Sequence, residues 1–142
     1  MTISTKYGAP PTALPIHLGA LSIMHAYLQA LLHYATFQGR TSRKGYWLFL
    51  LIQLIILLAL SFLERHFALA NPEIGFGWIT TLYALATLLP VLALQVRRLH
   101  DANHAGWWAW LNLLPVIGQL VLLAFALLKG STDQNRYGPA SQ

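Results

Sequence analysis

"RRLHDANHAGWWAWLNLLPVIGQLVLLAFALL" occupies residues 97–128. Its first eight residues hold two arginines, two histidines and an aspartate, and the next twenty-four, Ala105–Leu128, hold no Asp, Glu, Lys, Arg or His. A helix rises about 1.5 Å per residue and a bilayer core is about 30 Å thick, so roughly 20 such residues cross it. Two further charge-free stretches have span length, Tyr46–Leu63 with 18 residues and Gly75–Val96 with 22. They lack strict alternation, which argues against a β-barrel. Lipid leaves backbone groups no partner but the segment itself, so helix is the default.

Composition agrees with a membrane solvent. Hydrophobic residues are 56% of the 142 and charged residues 9%, where a soluble domain has about a quarter charged. Cysteine is absent, which removes disulfides, thiolate catalysis and cysteine-bound metal. The net charge of +5 points first to topogenic and lipid-facing basic residues. The lipid bilayer, anionic phospholipid included, is the expected partner, together with a homo-oligomer or another membrane protein. No cofactor, metal or nucleic acid is expected.

The fold class expected is all-α: an integral membrane protein with three transmembrane helices, about 46–63, 75–96 and 105–128, within a membrane domain at 38–139. Aromatic residues suited to the headgroup level stand at their ends: Tyr46 and Trp47, Trp78, and Trp107, Trp108 and Trp110. Pro90 and Pro115 each remove a helical hydrogen bond and invite a kink. Pro115-Val-Ile-Gly118 reads either as a hinge or as a site of close helix packing.

Ahead of the spans, residues 16–37 read as an amphipathic interfacial helix. Ser22, His25, Gln29, His33 and Thr36 follow steps of three and four and share one face. A fourth span is the rival reading. Residues 1–15, with Pro10, Pro11 and Pro15, read as a flexible tail without a cleavable signal, and 140–142 as the C-terminal end.

With three spans, Lys6, Arg40, Arg43, Lys44, Arg97 and Arg98 share one side, and Arg65, Lys129 and Arg136 the other. The positive-inside rule then puts the N-terminus and residues 97–104 in the cytoplasm and the C-terminus outside, periplasmic in a bacterium.

Catalytic residues are not evident. Glu64, Glu73, Asp101 and Asp133 are the acids, scattered over separate segments. No nucleophile elbow or phosphate loop is present, and the three charge-free stretches offer no proton relay. In the charged turn, Arg97 and Asp101 are four apart and can pair on a helix, or Asp101 can cap the following helix. His100 and His104 could chelate a metal only if helical. The binding residues expected are Arg40, Arg43, Arg97, Arg98 and Asp101, as a lipid-headgroup or partner site. His100, His104, Asn135 and Arg136 form a candidate polar cluster. A channel or transporter subunit, and an interfacial enzyme using His100, Asp101 and His104, are the alternatives.

Four stretches in order, "FQGRTSRKGYW" (37–47), "RRLHDANHAGWW" (97–108), "LLPVIGQLVLL" (113–123) and "NRYG" (135–138), resemble the small bacterial inner-membrane proteins grouped as domain of unknown function 805, over about residues 24–139. The chain departs from that pattern at Ala105, where a small hydroxyl residue is usual, and at Asp133, where a glycine is common. The resemblance implies a multi-span protein of the bacterial inner membrane and no particular activity.

Overall fold

The computed structural model describes residues 16–33 and 35–141, with side chains from Gly19 onward. The tail expected at 1–15 lies outside the described residues. The described chain forms four α-helices and one 3₁₀ helix: α1 Ile16–Leu32, α2 Arg43–His66, α3 Trp78–Asp101, the 3₁₀ helix Gly106–Leu113, and α4 Ile117–Leu127.

Two helices, α2 and α3, are long and apolar enough to cross a membrane. At 24 residues each they measure roughly 36 Å. They pack against each other with polar groups inward and hydrocarbon outward. Leu51, Leu54, Ile55, Leu58 and Phe62 of α2 are exposed, as are Leu82, Leu85 and Leu88 of α3. Gln53, Ser61, Glu64, Thr80, Thr87, Gln95, Arg98 and Asp101 are buried. A pair so arranged hides its polar groups from lipid and leaves lipid its hydrocarbon.

Halfway along the pair, the Gln53 amide donates to Thr87 Oγ1 at 2.6 Å. Gln53 Oε1 accepts from Tyr27 at 2.8 Å and from Tyr83 at 3.1 Å. Tyr27 thereby fastens α1 to both long helices, and its ring stacks on Phe49 with centroids 4.9 Å apart. Burial, and then the Tyr83 hydroxyl, raise the pKa of the Tyr27 phenol above its ordinary value. It stays neutral, as a group in an apolar setting must. Ser22, His25 and Gln29 are exposed along α1, but so are Leu21, Met24, Leu28 and Leu32. The helix ends at Leu32 rather than at 37.

The third expected span is the main correction. Residues 105–128 do not form one helix: the 3₁₀ helix and α4 are separated at Leu114–Val116. Pro115 supplies no N–H, and it pushes Leu114 into extended backbone, at φ −93° and ψ 102°. Val116 then takes φ 66° and ψ −69°, and Ile117 N donates to Pro115 O at 2.8 Å. That is a γ-turn of the rare positive-φ kind. It reverses the chain, so Pro115–Gly118 is neither a mere kink nor a hinge within one helix.

The two arms of this hairpin lie together. A Cβ at Gly118 would sit 1.8 Å from Leu111 O, so only glycine permits the approach. Asn112 links the arms and the bundle: its amide donates to Gln95 Oε1 at 2.5 Å, and its oxygen accepts from Gln119 at 3.0 Å. Ser131 N donates to Asp101 O at 2.8 Å. The hairpin therefore starts and finishes at the same end of α3. The C-terminal residues share that end with the 97–104 turn, contrary to the expected placement of the two on opposite sides.

Candidate functional site, the polar end of the helix pair

Residues 39–44, 97–104 and 128–141 converge where α2 begins and α3 ends. At the centre is Asp101, on the last residue of α3 and 2% exposed. Its Oδ1 accepts from Arg40 Nε at 2.9 Å and from Ser141 Oγ at 2.5 Å, with the Arg40 Nη2 charge 2.8 Å away. Its Oδ2 accepts from Arg98 Nη1 at 2.6 Å. Charge-assisted, forked bonds of this kind are the strong ones, and they are required where two guanidinium groups are buried together.

Each arginine spends its remaining donors on backbone carbonyls of the C-terminal segment. Arg40 reaches Asp133 O at 2.9 Å, Ser131 O at 2.5 Å and Gly138 O at 3.4 Å. Arg98 reaches Ala126 O at 3.2 Å through both Nε and Nη2, and also Leu128 O. These carbonyls sit at or beyond the C-terminal end of α4, where helical partners run out. Gly130 lets the segment cross the carboxylate: a Cβ there would lie 2.0 Å from Asp101 Oδ2.

The polar cluster forms the outer layer. The His100 ring stacks on Tyr137 with centroids 3.9 Å apart and planes 6° apart, while His100 Nδ1 faces Gly39 O at 3.1 Å. Asn135 Nδ2 donates to His100 O at 3.0 Å, and Asn135 Oδ1 accepts from Tyr137 N at 2.9 Å. Arg136 lies over the Tyr137 ring and reaches Asn103 O at 3.5 Å. His104 leaves the group; its Nδ1 meets Ala102 O at 2.8 Å and its ring tilts against Phe125. Because α3 stops at Asp101, His100 and His104 never share a helical face. Among the described residues no three His, Cys, Asp or Glu side chains gather in a metal-holding group.

Of the five expected binding residues, Arg40, Arg98 and Asp101 come together. Arg43 stands beside them, with one weak bond to Leu127 O at 3.4 Å. Arg97 does not join. The partner of Asp101 on its own helix is Arg98, three residues back, rather than Arg97, four back. Asp101 does not cap the next helix either, since Ala105 holds that position without a side-chain bond. Arg97 instead turns toward α1, where its Nε and Nη2 are buried without a hydrogen-bond partner among the described residues.

A second buried acid escaped the sequence reading. Glu64, 2% exposed, closes the opposite end of the helix pair. Its carboxylate accepts from Gly77 N at 2.8 Å, Ile79 N at 2.7 Å, Thr80 N at 3.3 Å and Thr80 Oγ1 at 2.6 Å. It satisfies the free N–H groups that begin α3, where the helix dipole favours negative charge. The available signal was an acid directly after an apolar run, followed by a short loop and a glycine before the next helix.

Residues 34–139 match the family described as "Protein of unknown function (DUF805)", and the chain belongs to that family. It is 40% identical over 116 residues to inner membrane protein YhaH of Escherichia coli strain K12, covering 82% of this chain and 95% of that one. It is 44% identical over 115 residues to inner membrane protein YhaI of the same strain, covering 81% and 93%. No solved structure matches. The chain is thus an inner membrane protein, and three of its quoted stretches, 37–47, 97–108 and 135–138, meet around Asp101.

Proposed function

We propose that this DUF805 member is a non-catalytic inner-membrane protein that gathers anionic phospholipid headgroups at the basic end of its helix pair. One observation carries the reading. Arg43, Lys44 and Lys129 surround a recess of about 320 Å³ that also exposes Ser42, Ser131 and Thr132, and whose floor is Asp101. Arg40 and Arg98 already neutralise that aspartate, so three cations face outward with no salt bridge among the described residues. Each juxtamembrane cation is worth about 1 kcal/mol at an anionic surface, and the hydroxyls add donors for phosphate oxygens.

Charge distribution supports a cytoplasmic location for this end. Counting with the hairpin in place, and among the described residues, Arg40, Arg43, Lys44, Arg97, Arg98, Lys129 and Arg136 stand at it and Arg65 alone at the other. That is a sharper bias than three full spans would give. Asp101 is held by Arg40, Arg98 and Ser141, while His100 and His104 turn to the carbonyls of Gly39 and Ala102, which weighs against the enzyme alternative.

Native mass spectrometry of protein released from membranes of mixed phosphatidylcholine and phosphatidylglycerol tests the proposal. Wild type should retain phosphatidylglycerol preferentially, and the Arg43→Gln, Lys44→Gln, Lys129→Gln variant should lose the preference. An unchanged ratio of retained lipids in that variant would defeat it.

A further inference from the structure

On the other side of the 41–45 turn lies a different cavity. It is a slot of about 330 Å³ between α1 and the α2–α3 pair, lined by α1 from Ile23 to Ala30 and by His33 just beyond it, by Thr41, Gly45 and Phe49, and by Leu94 and Arg97 of α3. That volume falls within the range of small-molecule sites. We infer that this slot binds one anionic amphiphile, its acidic head on the Arg97 guanidinium and its acyl chain against Leu48, Phe49 and Leu94.

Two features of the slot have to be met by one ligand. The first is Arg97. It lines the slot, and its Nε and Nη2 have no hydrogen-bond partner among the described residues, whereas Arg40 and Arg98 at the same end have a carboxylate and several carbonyls. A part-buried guanidinium short of acceptors is disfavoured, and the guanidinium fork matches two oxygens of one carboxylate or phosphate. The second is the wall. Ile23, Ala26, Leu48, Phe49, Ile52 and Leu94 are hydrocarbon or aromatic. A small hydrated anion would satisfy the arginine and leave that wall wet. A neutral lipid chain would cover the wall and leave the arginine unpaired. An acyl chain bearing an acidic head does both. The rim adds His33 and Gln29, with His33 Nδ1 facing Gln29 O at 2.8 Å.

A free fatty acid and a phospholipid both carry this chemistry. Purified full-length protein in non-ionic detergent would be titrated separately with oleate, lysophosphatidylglycerol, lysophosphatidylcholine and inorganic phosphate, and read by native mass spectrometry. One-to-one binding of oleate or of lysophosphatidylglycerol is expected, and the arm that binds identifies the head. Binding of neither, or equal binding of lysophosphatidylcholine or phosphate, overturns the inference.

Arg97→Leu should weaken the binding by about ten-fold or more, the loss of one charge-assisted bidentate contact. Ala26→Trp, which fills the slot from the outer helix, should weaken it while leaving Arg97 intact. Unchanged affinity in either folded variant refutes the site. The Arg43→Gln, Lys44→Gln, Lys129→Gln protein should bind as wild type does; loss of binding there would contradict a slot separate from the headgroup recess.

Discussion

Arg40 and Asp101 stand 61 positions apart in the chain and 2.8 Å apart in space. Their pairing draws the segment before α2, the end of α3 and the C-terminal segment onto one carboxylate. Asp101→Ala would strand two buried guanidinium groups, and removing one partner of a buried ion pair costs about 3–5 kcal/mol. Thermal unfolding in detergent should show a large loss, with Asp101→Asn intermediate because an amide oxygen still accepts. A stability change within error for Asp101→Ala would show that the arginines are held by the carbonyls alone.

At the other end, Glu64 caps α3. Glu64→Gln keeps an acceptor but loses the charge that several N–H groups share, so about 1–3 kcal/mol is expected. Gly77→Ala should cost at least as much, since a Cβ there would lie 2.6 Å from Glu64 Oε1 and 2.7 Å from Leu69 O. Denaturant titration followed by circular dichroism would read both. Equal stability of Gly77→Ala and wild type would contradict the packed cap.

Val116 sits at φ 66°, a position that strains a β-branched residue by about 1–3 kcal/mol. Val116→Gly should therefore stabilise the hairpin or leave it unchanged, while Gly118→Leu, forced against Leu111 O, should destabilise it. Melting temperatures that moved in the opposite directions would mean that 105–128 is not folded back at Pro115.

Why were two helices legible and the third not? The runs 46–63 and 75–96 announced themselves by length without charge. The helices continue to Arg43 and His66, and from Trp78 to Asp101, because Arg98 and Asp101 pair and Glu64 is hydrogen-bonded where they enter the bundle. A reading that stops at the first charge cannot see that. Within 105–128, hydropathy records depth and not direction. Pro115 and Gly118 were visible as a disturbance. The reversal also depends on the Asn112–Gln95 bond and on Arg98 gripping Ala126 O, contacts 17 and 28 positions apart. The site was legible as a set of residue types, since Arg40, Arg98, Asp101, His100 and Asn135 all stand in the quoted motifs. Its pairing was not, because a spacing of four favours Arg97 for Asp101 and only the packed α4 turns Arg98 to the task instead.

A folded-back hairpin predicts that the 97–104 turn and the C-terminal segment lie at one membrane face, and single-cysteine labelling tests it directly. The chain has no native cysteine, so Ala102→Cys, Ala140→Cys and Glu73→Cys each place one thiol, the first two at the polar end and the third in the loop between α2 and α3. With an impermeant maleimide applied to one face of oriented vesicles, Cys at 102 and Cys at 140 should react together, and Cys at 73 only from the opposite face. Labelling of positions 102 and 140 from opposite faces would restore a third full span and contradict the account.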